Sequence, residues 1–169
     1  DTGGMSIYVR EVAREMGKLG VLVDIYTCAE DPKYGQVVPL GENVRLIHLR
    51  VGEEAIDKLA VYPYLPTFVG NIDDFCRQNN IRYDLVFSHY WLSGWVGNCL
   101  RHWWRVPHLM MFHTLGVVKN ALGIGETEPE LRIITEGSLA QDSHGIIAAT
   151  DRERGDIIRH YGAALEKIR

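Results

Sequence analysis

Apolar positions along the chain repeat with two periods, about 3.6 residues in some stretches and about 2 in others. In residues 5–19 the apolar set Val9, Val12, Ala13, Met16 and Leu19 has helical spacing, and Gly20 follows as a natural C-cap. Residues 21–27 (VLVDIYT) are β-branched and read as a strand of the parallel-sheet type. Residues 28–43 hold Asp, Pro and Gly and read as a loop, whereas residues 44–50 (VRLIHLR) alternate as a strand does. A helix is expected over 66–79, with Phe68, Val69, Ile72 and Phe75 on one side. A short buried strand (85–88, LVFS), a helix (92–103) and a strand (108–112, HLMMF, after Pro107) come next. A helix (129–141), a strand (145–149, GIIAA) and a last helix (152–161) complete the series, with no internal repeat.

Helix and strand in alternation predict parallel strands joined by right-handed crossovers, hence an α/β fold with a Rossmann-like doubly wound sheet. In such folds a first, central strand leads into a glycine turn and a helix. Here Asp1-Thr2-Gly3-Gly4 opens directly into the helix, so the first strand is missing. A gap in the middle of a sheet would leave the backbone groups of two neighbours unpaired. The expectation is therefore a domain cut from a longer protein, with residues 1–169 as one fragment.

Composition narrows the functional classes. The 169 residues are 46% apolar and 24% charged, enough to fill and cover one core, which excludes a disordered chain. The 18 Lys and Arg against 22 Asp and Glu give a net charge of −4, the wrong sign for nucleic-acid binding driven by bulk charge. No apolar run approaches the ~20 residues of a membrane span, and no signal peptide is seen. Cys28, Cys76 and Cys99 are odd in number and widely spaced, which fits a reducing, cytoplasmic compartment rather than a disulfide framework or zinc cluster.

Candidate chemistry falls in two places. At Gly3-Gly4 a short turn meets a helix N-terminus, where backbone N–H groups and the helix dipole favour a phosphate. An ordinary tight turn capped by Thr2 fits the same residues. Further on, Ser88-His89-Tyr90-Trp91 and His113-Thr114-Leu115-Gly116 each follow a strand, at the carboxyl edge where open α/β sheets bind ligands. His113, Thr114 and Tyr90 can donate to a sugar hydroxyl or phosphate, and Lys58, Lys119 and Arg132 can supply positive charge. Trp91, Trp95, Trp103 and Trp104 read as core and interface aromatics, with residues 102–105 as a candidate apolar surface patch. Arg152, Glu153 and Arg154 read as a solvated helix start, and the E-x7-E spacing of Glu128 and Glu136 as chance. No H-x-x-x-H or H-E-x-x-H metal pattern and no G-x-S-x-G elbow occurs. The G-x-G-x-x-G fingerprint of an NAD-dependent oxidoreductase is also absent.

Taken in order, DTGGMSIYVREVAREMGKLG, VDIYT, SHYWLSGW, PHLMMFHTLGVVKN, E-x-x-R within EPELR and GIIAATDRERGDIIRHYGA form a recognisable set. The chain resembles, over nearly its whole length, the N-terminal domain of family 4 retaining glycosyltransferases of the GT-B fold. Within that family it looks most like the subgroup of the inositol-phosphate N-acetylglucosaminyltransferases, sucrose-phosphate synthases and sucrose synthases. The resemblance implies an acceptor-binding half that works with its own C-terminal, donor-binding domain. Its co-substrates would be a nucleotide-diphosphate sugar and a phosphorylated small-molecule acceptor, with no metal or other cofactor. It further implies that Gly3 and Gly4 approach the donor diphosphate and that His113 contacts the transferred sugar and its oxocarbenium-like transition state. Lys58, Tyr90, Thr114 and Arg132 would bind the acceptor phosphate. Ser6 stands where the inositol-phosphate enzymes usually have Asn near the acceptor ring. Retention without an evident carboxylate nucleophile implies front-face transfer, and the isolated domain is expected to be inactive. Two further readings stay beside this one: a non-catalytic sugar-phosphate-binding module, and a transferase with a lipid-linked or polysaccharide acceptor. A homo-oligomer is compatible with all of them.

Overall fold

Except for one strand and one short helix, helices and strands follow one another as the apolar periods predict, in a computed structural model that describes residues 3–28, 35–52 and 60–169. The chain divides into two units, Asp1–Ile81 and Arg82–Arg169. Each unit carries its own three-stranded sheet.

The first unit begins with helix α1 (Gly4–Lys18), followed by strands β1 (Val23–Cys28), β2 (Val37–Gly41) and β3 (Val44–Leu49) and helix α2 (Leu65–Gln78). The strand order is β1-β3-β2. Central β3 runs parallel to β1, with Asp24 opposite Arg45, and the two side chains meet in a bidentate ion pair of 2.8 and 2.7 Å. On its other side β3 pairs antiparallel with β2, which lies in the stretch the sequence reads as a loop. Pro39 and Gly41 explain the difference. They look like turn residues, yet an outer strand tolerates a proline because its missing N–H is not needed there, and the register slips between the two. Helix α2 buries Leu65, Phe68, Val69, Ile72, Phe75 and Cys76, a stripe three to four residues apart.

The second unit runs β4 (Val86–His89), α3 (Trp91–Trp104), β5 (His108–Met111), α4 (Gly116–Leu122), α5 (Glu130–Asp142), β6 (Gly145–Ile146) and α6 (Asp151–Tyr161). Its strands pair in parallel in the order β4-β5-β6, the parallel α/β pattern that the alternation predicts. Ile168 adds a parallel bridge to Ile146. The core comprises Met110, Phe112, Leu115, Leu139, Ala140, Ile146, Ile157, Ala163 and Ile168. Helix α3 lies close on the sheet because Gly97 has no side chain: a Cβ there would stand 2.0 Å from Ser88 Oγ and 2.6 Å from His108 Nε2. Those two atoms are hydrogen-bonded at 2.8 Å, and burial brings the His108 pKa down to about 4. Trp91 is buried and Trp95 and Trp104 are half-buried, as core aromatics should be, whereas Trp103 is 59% exposed. Helix α4 had no predicted counterpart, since seven residues are too few to show a helical period.

No helix among the described residues is long and apolar enough to cross a membrane. Among the same residues no group of three or more His, Cys, Asp or Glu side chains is placed to hold a metal ion.

Candidate functional site

In the first unit, Gly3 is the N-cap of α1 with an extended backbone (φ −60, ψ 159). Its carbonyl accepts from the Ser6 and Ile7 backbone N–H groups, which close the first turn. A Cβ built at Gly3 or at Gly4 would meet nothing within 4 Å, and neither residue has a positive φ. Nothing in the described chain therefore requires glycine at either place. Gly3, Gly4 and Ser6 are all exposed at this helix start. Thr2, the alternative cap, and Lys58, a candidate phosphate ligand, lie outside the described residues.

In the second unit the parallel pairing of β4 and β5 brings their carboxyl ends together, and both chains leave the sheet in a strained conformation. Tyr90 has φ 77 and His113 φ 63, a region that side-chain-bearing residues rarely adopt and that costs ~1–3 kcal/mol per residue. The turn at Tyr90 is held by its N–H donating to Met111 O at 2.9 Å. His89 Nδ1 and His113 Nε2 lie 2.9 Å apart, so one ring donates to the other. Burial, and then the neighbouring His113, lowers the His89 pKa to about 4; burial also lowers that of His113. Both rings are consequently neutral near pH 7.

Arg132, on the first turn of α5, is drawn into this edge and is 1% exposed. Each of its three guanidinium nitrogens has a partner within the chain. Nε donates to Glu136 Oε1 at 2.7 Å, and Nη1 donates to Tyr90 OH at 3.3 Å and forms an ion pair with Glu128 Oε2 at 2.9 Å. Nη2 donates to Thr114 O at 3.0 Å and to Thr114 Oγ1 at 2.9 Å. Tyr90, Thr114 and Arg132, three residues expected to act together, are thus in direct contact. The guanidinium also lies 4.9 Å from the centre of the Tyr90 ring.

Around this contact stands an ionic network that sequence reasoning missed. Glu136 is fully buried; its second oxygen accepts from Gly116 N at 2.9 Å and from the Tyr161 hydroxyl. Burial and the Glu136 hydrogen bond both push the Tyr161 pKa upward, so Tyr161 is the donor. A Cβ at Gly116 would stand 2.8 Å from Ile133 Cδ1 and 3.1 Å from Arg132 Nε, so glycine lets α4 approach the arginine. Glu128 bridges Lys119 Nζ and Arg132 Nη1. Burial pushes the Glu128 carboxyl up, but its bonds to Lys119 and Arg132 outweigh this and hold it below its ordinary value. The backbone of Glu128 is clasped by Asn120, which accepts from its N–H at 2.7 Å and donates to its carbonyl at 3.2 Å. The signal was present in the sequence: Glu128 and Glu136 stand four residues before and four after Arg132, one helical turn in each direction. Read as a pair with each other, they looked accidental.

A cavity of 320 Å³ is lined by His113, Thr114 and Lys119 together with Thr150 and Glu153 at the start of α6. Thr150 caps that helix by accepting from Glu153 N, while the Glu153 carboxylate accepts from Ala149 N. Of the three residues expected to be solvated there, Arg152 is, whereas Glu153, turned back to the Ala149 N–H, and Arg154 are half-buried.

Comparison with known proteins agrees with this architecture. Residues 3–169 match the glycosyl transferase 4-like domain family. The chain is 41% identical over 172 residues to a D-inositol 3-phosphate glycosyltransferase of Corynebacterium jeikeium, covering 100% of this chain and 41% of that protein. It is 40% identical to the protein of the same name in Nocardiopsis dassonvillei, covering 96% of this chain and 39% of that one. Among solved structures, a sucrose-phosphate synthase from Thermosynechococcus elongatus superposes with a TM-score of 0.88 at 29% identity, over 99% of this chain and 42% of that chain. The Anabaena protein HepE, solved with UDP and glucose, shares the fold with a TM-score of 0.63 at 14% identity, over 100% of this chain and 40% of that one. The chain thus spans about two fifths of the length of these relatives. By sequence and by fold it belongs to the glycosyl transferase 4-like domain family.

Proposed function

We propose that the intact protein transfers a sugar, with retention, from a nucleotide-diphosphate sugar to a phosphorylated small-molecule acceptor, a sugar phosphate or inositol phosphate. This chain binds the acceptor; a further domain supplies most of the donor site. The observation that carries the reading is the meeting of Tyr90, Thr114 and Arg132 at the carboxyl edge of β4 and β5, with Lys119 adjoining. A hydroxyl that accepts from a guanidinium presents its own proton as a donor. Arg132 therefore orients Tyr90 and Thr114 toward an anion, and charge-assisted donors of this kind suit a phosphate. The names of the relatives, D-inositol 3-phosphate glycosyltransferase and sucrose-phosphate synthase, support a phosphorylated acceptor. Lys58 joins this set on the resemblance alone.

His113 contacts the transferred sugar. A neutral imidazole donates a hydrogen bond to a hydroxyl without adding a positive charge that would oppose an oxocarbenium-like transition state. Strain at Tyr90 and His113 is the kind that persists where function requires it. Gly3 and Gly4 meet the donor diphosphate: bare glycines at an exposed helix start let an anion reach the backbone N–H groups. Ser6, two residues on, is the position that the resemblance ties to the choice of acceptor ring.

The test is acceptor use by the intact protein. Inositol phosphate, fructose 6-phosphate and their dephospho forms are each offered with UDP- and GDP-sugars. A strict need for the phosphate is expected. Equal use of both forms would remove the phosphate assignment and favour a lipid-linked or polysaccharide acceptor.

A further inference from the structure

The Arg132 guanidinium already has four hydrogen bonds and an ion pair within the chain, on all three of its nitrogens, so an arriving phosphate competes with a partner in place. The five contacts are not equally replaceable. Glu136 is fully buried and also accepts from Gly116 N and the Tyr161 hydroxyl, so its withdrawal would orphan three buried donors. Thr114 and Tyr90 are neutral and can keep their bonds to Arg132 while donating to an anion. Glu128 differs from all of these. It sits ahead of α5 rather than within it, its side chain keeps 11% exposure, and among the described residues its carboxylate meets Lys119 and Arg132 alone. Both of these are cations that a phosphate would satisfy equally well.

We propose that Glu128 is the displaceable counter-ion of this site: its carboxylate holds Lys119 and Arg132 in place until the acceptor phosphate takes its position between them. The inference rests on the phosphorylated-acceptor reading and adds to it the residue that sets the affinity. Asn120 holds the Glu128 backbone on both sides, so the exchange needs only a swing of the side chain. Lys119 and Thr114 line the cavity, which gives the phosphate its approach to the Lys119 end of the bridge. The charges also fit. Arg132 and Lys119 balance Glu128 and Glu136 within the network, and once Glu128 has swung away a net positive charge faces the phosphate.

The test is calorimetric binding of inositol 3-phosphate, myo-inositol and inorganic phosphate to the intact protein and to its Glu128→Gln variant. The amide keeps the shape and removes the competing charge. Binding of inositol 3-phosphate is expected to tighten about tenfold, the size of one charge-assisted hydrogen bond no longer displaced, with inorganic phosphate following the same trend. Asn120→Ala, which loosens the clasp and leaves every cation in place, is expected to tighten phosphate binding as well, by about threefold. If the parent protein prefers inositol 3-phosphate to myo-inositol but both variants bind it equally or more weakly, the counter-ion role is overturned and the phosphate site stands. If the parent protein binds the two inositols alike, the phosphate reading falls, and this inference with it. Thermal unfolding of each variant separates a folding defect from a loss of affinity.

Discussion

The two places where an anion is expected are built in opposite ways. At Gly3-Gly4 in the first unit the backbone is exposed, unstrained and stripped of side chains, and no packing in the described chain depends on it. Around Arg132 in the second unit the groups are bonded to one another, with Arg132 and Glu136 buried and the Tyr90 backbone strained. The contrast follows from what each site has to offer. Backbone N–H groups at a helix start are fixed by the helix itself and need only to be uncovered. Side-chain donors are mobile and must be held by a surrounding network, which carries its own counter-charges. One site can be altered with little effect on the fold; the other cannot.

The largest effect that follows is on stability. Arg132→Ala leaves Glu136 buried without its cation, a loss of ~3–5 kcal/mol for a broken buried pair. All four tryptophans of this chain lie in the second unit, so their fluorescence during urea unfolding of residues 1–169 reports on this unit. A loss below about 1 kcal/mol would mean that Glu136 does not depend on Arg132. Arg132→Lys should recover little, since one ammonium cannot reach five acceptors. By comparison, Arg45→Ala in the first unit breaks a bidentate pair whose arginine is 44% exposed, and ~1 kcal/mol or less is expected.

Acid comes next. The pKa values of His89 and His108 fall from an ordinary 6.5 to about 4 in the folded chain, chiefly through burial. A histidine whose folded pKa is depressed contributes its full stability above pH 6.5, because the unfolded state then gains nothing by protonation. That stability is lost as pH falls from 6.5 toward 4. The urea midpoint read by tryptophan fluorescence should therefore drop between pH 7 and pH 5. A flat profile over that interval would show that neither ring is held neutral.

The smallest effect on the fold is expected at the glycine turn. Gly4→Ala adds a methyl that meets no atom within 4 Å, at a position where alanine is the better helix former. Stability should hold or rise slightly, while the KM for the nucleotide sugar rises in the intact protein. An unchanged KM would return Gly3-Gly4 to the status of an ordinary turn.

The elements that were legible in the sequence are those whose burial pattern is long. The Phe68, Val69, Ile72, Phe75 stripe marks α2 without ambiguity, and VDIYT and VRLIHL mark two paired strands. Strand β2 was hidden by Pro39 and Gly41, which an outer strand accepts, and α4 by its length of two turns. The site was legible in part for the same kind of reason. His89, Tyr90, His113 and Thr114 stand at predicted strand ends, so the fold class alone places them on one edge. The bonds of Arg132 to Tyr90 and Thr114 were not legible, because these partners lie 42 and 18 residues away and only the tertiary fold joins them. Glu128 and Glu136 were within reach, had their spacing been measured from Arg132.

The central claim is that the Arg132 cluster receives an acceptor phosphate. The most direct measurement is a structure of the intact protein with a phosphorylated acceptor such as inositol 3-phosphate bound. The account predicts the phosphate within hydrogen-bonding distance of Tyr90 OH, Thr114 Oγ1 and Arg132, with the Glu128 carboxylate moved off Nη1. A phosphate bound elsewhere, with all five Arg132 contacts still in place, would contradict it.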